Sequence, residues 1–222
     1  MTQWLFAPRP VPSLPIVGSD QRFPVRRILC VGQNYAAHAR EMGSDPDKQT
    51  PFFFSKPGDA VVSDGANPTY PSATANLHYE AELVAALGPD ENGGVAIVGW
   101  AVGCDLTRRD LQADAKKAGR PWDAAKGFDQ SAPCGPITLG ALPDPAGAIG
   151  LSVNGEVKQA GALDDMILNP ARIVAAAAAL WAMQPGDLIF TGTPSGVGPV
   201  TPGDRVVVTV EGLEPLSFEI QP

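Results

Sequence analysis

Glycine and proline recur along the whole chain, and that recurrence limits how long any regular element can run. Gly (24) and Pro (23) together make about a fifth of the 222 residues. Glycine in an element interior costs conformational entropy and proline removes a backbone donor, so a chain rich in both is built from short elements joined by turns. That suits a strand-rich fold better than a helix bundle. Apolar runs rich in Val, Ile, Leu and Phe predict strands at 27–32, 52–55, 80–87, 95–105, 151–153, 187–191 and 205–210. Asn154-Gly155 predicts a hairpin turn, because both residues tolerate positive φ. Three helices are expected. One covers 35–42 (YAAHAREM). A second is capped by Thr107 and runs through RRDLQADAKKAG to Gly119. The third runs from about Pro170 to Met183 and is stopped by Pro185-Gly186. The alanines at 175–179 predict a buried, closely packed face in the last. Strands and helices mix without regular βαβ alternation, so the expected class is α+β.

The length allows one sizeable core and makes two large domains unexpected. Lys and Arg number 16 against 24 Asp and Glu, a net charge of −8, with an isoelectric point near 4.7. Such a chain repels phosphate backbones, and its basic residues never run beyond a pair, so nucleic acid is not an expected partner. Cys30, Cys104 and Cys134 form no CxxC pair, and an odd, widely spaced set argues against a disulfide framework or zinc knot. Cys30 and Cys104 sit in apolar runs and read as small buried hydrophobes. No basic region precedes an apolar stretch at the N-terminus, and no apolar run reaches the roughly 20 residues of a membrane helix. The expectation is no membrane association and a cytoplasmic setting.

The chemistry concentrates in His78-Tyr79-Glu80-Ala81-Glu82-Leu83-Val84. On one strand Glu80 and Glu82 would face the same way, and two carboxylates beside an apolar run are costly unless a cation lies between them. A lone ExE is also a common solvated face. Asp105 ends the run IVGWAVGCD, where its side chain could reach a cleft or simply cap a helix. Three carboxylates without Cys or His ligands would favour a hard cation, Mg²⁺ or Mn²⁺.

Other polar residues are open to two readings each. His38 and Glu41 stand at i, i+3, a spacing that lets a carboxylate orient an imidazole as a base, or that arises incidentally on a surface helix. His78 reads as support for the carboxylates or as a structural strand residue. Lys56, Lys126, Arg109 and Gln112 could recognise an acid substrate or be solvated surface groups. The segment IFTGTPSGVG, with Thr193, brings backbone N–H groups within reach of an anion or forms a tight turn; it lacks the GK[ST] of a Walker loop and is not a GxGxxG opening a helix.

Taken together, VGQNYAAHAREMG, PFFFSKP, NLHYEAELVAALG, GCDLTRRDLQ, AKGFDQSAP and LIFTGTPSGVGPVTPGD resemble the fumarylacetoacetate hydrolase superfamily, in that family's order, from about Arg27 to Gly212. Within it the chain is similar to short, single-domain acylpyruvate hydrolases, including fumarylpyruvate hydrolases. The resemblance implies a mixed β-roll with a few short helices. It also implies one catalytic domain over 1–222, in which 1–24 is an N-terminal extension to a hydrolase-like core at 25–222, and usually a homodimer. Glu80, Glu82 and Asp105 match carboxylates that hold Mg²⁺ or Mn²⁺. His38 and Glu41 match a dyad on a lid helix, Lys126 a lysine that stabilises the leaving carbanion or enolate, and Arg109, Gln112 and Thr193 substrate-binding positions. Lys56 is expected to join the substrate contacts. Gln33 departs from the pattern, since many relatives have Arg there.

The implied reaction is hydrolysis of a C–C bond in a small β-dicarbonyl acid, a 2,4-dioxo acid, with His38 as the base and pyruvate as one product. Oxaloacetate decarboxylation or tautomerisation, and isomerisation of a 2-hydroxydienoate, need a similar enolate and stand as alternatives. A non-catalytic metal-binding module is the alternative from another class.

Overall fold

The computed structural model describes residues 3–41, 43 and 51–222. Its architecture follows from one hairpin. β7 (Ala81–Pro89) and β8 (Val95–Cys104) pair antiparallel from Ala81↔Cys104 to Pro89↔Val95. β14 (Asp187–Phe190) lies antiparallel to β7 and parallel to β3 (Arg27–Val31). β4 (Phe53–Pro57) closes one edge and β11 (Thr138–Leu139) the other, giving a mixed six-stranded sheet. A second, four-stranded sheet contains β13 (Glu156–Ala162), β12 (Ala148–Val153), β16 (Arg205–Val210) and β17 (Leu216–Glu219), in that order. A small sheet sets β6 (Leu77–Tyr79) between β15 (Gly198–Val200) and β9 (Thr107–Arg108). Two further pairs are β1 (Ser13–Ile16) with β2 (Ser19–Pro24), and β5 (Val61–Val62) with β10 (Ala132–Pro133). The helices among the described residues are short: α1 (Ala36–Glu41), α2 (Arg109–Ala118), α3 (Asp123–Lys126) and α4 (Pro170–Ala178). This is the expected α+β fold, a mixed β-roll.

The unbroken apolar run of β7 is explained by cover on both faces. Leu83, Ala85 and Leu87 pack with Leu151, Val208 and Phe218 of the four-stranded sheet, while Val84 and Ala86 pack with Leu14, Phe23 and Cys134 on the other side. A strand covered on both faces loses the apolar–polar alternation of a half-exposed one. Cys30 and Cys104 are buried, as expected; Cys134 is buried too, and burial pushes its thiol up to about 12.

Several sequence expectations are corrected. The strand expected over 80–87 pauses at Glu80, which separates β6 from β7. Thr107 does not cap α2 with its side chain; it belongs to β9, and its hydroxyl donates to the Asp105 carbonyl at 3.2 Å. Asp110 serves that helix end instead, accepting from Leu111 N–H and Ala75 N–H at 2.9 Å each. The C-terminal end is as expected, with Gly119 at φ 62. α4 ends at Ala178, short of Met183, and among its residues only Ile173 and Ala177 are buried. Its alanines lie mostly at the surface, and Leu180 just beyond is 64% exposed. Lys126, expected in a loop, ends the short helix α3. The helix expected over 35–42 is observed as α1, and Met42 lies outside the described residues. The Asn154-Gly155 turn joins β12 to β13 with φ of 52 and 84, the doubly positive pair of a type I′ hairpin.

Candidate active site

The site forms where the central hairpin changes sheets. β7 and β8 belong to the six-stranded sheet, but their extensions β6 and β9 belong to the small one. Glu80 and Asp105 occupy the step between the two ladders, joined by the Asp105 N–H donating to the Glu80 carbonyl at 2.9 Å. Glu82 follows two residues later on β7, opposite Gly103. Carboxylate oxygens of the three acids all lie within 4.8 Å of one another, and the residues are 4%, 2% and 0% exposed.

Three cations surround this group, brought from separate segments. Lys126 Nζ, from α3, donates to Glu80 Oε2 at 2.8 Å, Asp105 Oδ2 at 2.6 Å and Thr107 Oγ1 at 2.6 Å. Lys56 Nζ, from β4, lies 2.8 Å from Asp105 Oδ1 and donates to the Leu106 carbonyl at 3.1 Å and to the Lys126 carbonyl. Arg109, at the start of α2, reaches Glu80 Oε1 at 2.5 Å and Gln112 Oε1 at 2.6 Å. Burial opposes the charge on Glu80, but Lys126 and Arg109 outweigh it and hold that carboxyl well below the usual range. Glu82 has no such partner among the described residues. Burial, then Asp105 and Glu80, push its carboxyl well above the usual range, against one Gly192 N–H donated at 2.7 Å.

This donor set fits a hard divalent cation. It offers only oxygen, it converges, and it contains one buried carboxylate, Glu82, that forms no side-chain ion pair among the described residues. Asp105 Oδ1 adds a buried oxygen that receives no well-directed hydrogen bond despite its nearness to Lys56.

A cavity opens beside Glu80 and Glu82, lined also by Lys126, Arg109, Gln112, Thr193 and His38. Phe52, Phe54 and Trp122 form its aromatic wall, with Trp122 edge-on to Phe52 at 5.4 Å between ring centroids. His38 is buried on α1, with Nδ1 3.1 Å from Glu41 Oε2. Glu41 also accepts from the Gly196 N–H at 3.2 Å, which ties α1 to the 191–197 loop. The N–H groups of that loop at Gly192 and Gly196 donate to the protein's own carboxylates, Glu82 and Glu41.

The predicted residues are therefore brought together, although Glu41 and Asp105 do not themselves line the cavity. Lys56 does not line the cavity; it stands behind Asp105, fully buried. His78 backs Arg109, accepting at Nδ1 from its Nε at 3.3 Å, with Nε2 3.0 Å from Asn76 Oδ1. Burial first, and then Arg109, lower the His78 pKa to about 4, so its ring is neutral at pH 7. Gln33 lines the cavity at φ 57. Sequence reasoning missed two buried amides. Asn34 donates to the Thr191 and Leu168 carbonyls and accepts from Leu168 N–H, and Gln159 ties β7 to Thr193. Neither shows a local pattern; the Asn34 partners Leu168 and Thr191 are 134 and 157 residues away.

A mixed β-roll that carries a buried oxygen-donor group beside a His–carboxylate pair matches known proteins. Residues 27–221 match the fumarylacetoacetate (FAA) hydrolase C-terminal family, and the chain belongs to that family. It is 40% identical over 190 residues to the fumarylpyruvate hydrolase of a Ralstonia species, which covers 82% of this chain and 99% of the relative. It is 39% identical over 199 residues to oxaloacetate tautomerase YcgM of Escherichia coli, covering 86% and 90%. Among solved structures, fumarylpyruvate hydrolase from Pseudomonas aeruginosa in complex with Mn²⁺ and pyruvate aligns with a TM-score of 0.92 at 47% identity, covering 99% of both chains.

Proposed function

We propose that this protein is a metal-dependent hydrolase that cleaves the C–C bond of a 2,4-dioxo acid, an acylpyruvate such as fumarylpyruvate, to pyruvate and a carboxylic acid. The observation that carries the proposal is that His38, held at Nδ1 by Glu41, lines the same cavity as Glu80 and Glu82, two of the three converging acids. Those three carboxylates would hold Mg²⁺ or Mn²⁺, which supplies Lewis-acid stabilisation of developing negative charge when bound.

The remaining steps belong to the chain's own residues. Glu41 holds Nδ1 of His38, which fixes the proton there and leaves Nε2 as the basic nitrogen. Nε2 takes a proton from water as its oxygen attacks the distal carbonyl carbon. The bond from that carbon to the methylene breaks, its electron pair passing into the pyruvate enolate, and protonation of the methylene gives pyruvate. Lys126 and Arg109 supply positive charge where the enolate and the carboxylate sit, while Gln112 and Thr193 add neutral polar groups. The aromatic wall would receive the acyl half. Lys56 acts behind the site by holding Asp105. Closure of α1 over substrate belongs to the same proposal, supported by the Glu41–Gly196 tie, as do a cytoplasmic setting and a homodimer; sedimentation equilibrium tests the last.

A second reading is favoured by the 39% identity to an oxaloacetate tautomerase. Tautomerisation needs the enolate but no attacking water. Purified protein assayed in parallel on acylpyruvates, fumarylpyruvate and oxaloacetate with Mn²⁺ separates the two. Hydrolysis of a 2,4-dioxo acid at the highest kcat/KM, lost in EDTA, is expected; turnover of oxaloacetate alone overturns the hydrolase assignment.

A further inference from the structure

Gln159 belongs to the second sheet, yet its side chain reaches the active site. In β13 the pairing slips between Leu151↔Gln159 and Ser152↔Val157, leaving Lys158 as an extra residue. Such a bulge re-aims the neighbouring side chain. The Gln159 amide is almost fully buried and every one of its groups is used. Its Oε1 accepts from the Ala81 N–H at 2.9 Å, and its Nε2 donates to the Pro194 carbonyl and to Thr193 Oγ1, both at 2.8 Å.

These partners fix which way round the amide lies. A backbone N–H can only donate and the Pro194 carbonyl can only accept, so the oxygen must face Ala81 and the nitrogen must face the loop. The hydrogen bond between Nε2 and Thr193 then has a defined direction: Gln159 donates and the hydroxyl accepts. Among the described residues no acceptor takes the hydroxyl's own proton. Thr193 lines the cavity beside Arg109 and Gln112.

We infer that Gln159 is a positioning residue that makes Thr193 a hydrogen-bond donor toward a carboxylate or carbonyl oxygen of the bound acid. Because Ala81 separates Glu80 from Glu82, the same amide also fixes the loop relative to both acids. The inference rests on the proposed function for the nature of the ligand and goes beyond it by assigning a polarity to the site and a residue that sets it.

The test uses Gln159→Glu, which is isosteric but reverses the pattern. A carboxyl group facing the loop accepts from Thr193, so the hydroxyl proton turns away from the cavity. Pyruvate inhibition constants are measured with Mn²⁺ for the wild type, Gln159→Glu, Thr193→Val and the double variant, together with KM and kcat on an acylpyruvate. Each single variant is expected to raise the pyruvate inhibition constant and KM roughly ten- to a hundredfold, with a much smaller change in kcat. The double variant should bind no more weakly than Thr193→Val alone. A folded Gln159→Glu protein with wild-type inhibition, or losses that add in the double variant, overturns the inference. If Gln159→Glu does not fold, neutron diffraction on the wild type reads the same point. A Thr193 hydrogen directed into the cavity supports the assignment, and one directed at Gln159 overturns it. A wild type that neither turns over acylpyruvates nor binds pyruvate would instead count against the proposed function.

Discussion

His38 and Glu82 carry the two demands of the proposed reaction, a base and a cation site, and each can be tested separately. Among the described residues His38 meets a carboxylate through Nδ1. His38→Ala should therefore leave substrate binding nearly intact while lowering kcat roughly 10²- to 10⁴-fold, the usual worth of a positioned base, as steady-state kinetics would show. Near-wild-type hydrolysis by that variant would remove the base assignment. Glu82 is the one of the three acids with no side-chain ion pair among the described residues, so it has the most to gain from a metal. Mn²⁺ at about a hundredfold over its dissociation constant should stabilise the wild type by roughly 2.7 kcal/mol, and the rise in Tm should vanish in Glu82→Gln. An equal rise in the variant would show that metal binds elsewhere. The residue-scale features legible in sequence were the acids and the His–Glu spacing. Their pairing with Lys56, Lys126 and Arg109 was not, since those contacts join residues from 21 (Lys126–Asp105) to 105 − 56 = 49 (Lys56–Asp105) positions apart and depend on the sheet change at Glu80.

At the scale of elements, two glycines separate a turn's own requirement from the site's. Gly155 has φ 84 and open space where a Cβ would stand. Gly155→Ala should cost about 1 kcal/mol in chemical denaturation and leave kcat unchanged. Gly192 has φ 98, and a Cβ there would stand 2.8 Å from the Cβ of Asn34. Gly192→Ala combines backbone strain with that clash, so a loss of about 1–3 kcal/mol is expected. It should also cost metal affinity, because the Gly192 N–H donates to Glu82; calorimetric titration with Mn²⁺ would show it. Most strands, the 154–155 turn and the end of α2 at Gly119 were legible because each depends on local chemistry. The pause at Glu80 and the early end of α4 were not, because a change of sheet and the reach of a neighbouring core leave no local periodicity.

For the whole molecule, burial on both faces of the six-stranded sheet predicts one cooperative unit. Phe190 is fully buried, at the centre of that sheet, and packs near Gly103 opposite Glu82. Phe190→Ala should lower the unfolding free energy by about 3–5 kcal/mol, and calorimetry should still record a single transition. Two separate transitions would divide the chain into independent parts.

The step at Glu80 and Asp105 has a consequence for how such a protein can diversify. The acids stand on the central hairpin, whereas the aromatic wall comes from Phe52 and Phe54 at β4 and Trp122 before α3. The proposed metal ligands and the wall proposed to receive the acyl half thus lie in different stretches of chain. If the proposed function holds, a library confined to 52–54 and 122 should change which acyl group is accepted while leaving the metal ligands untouched.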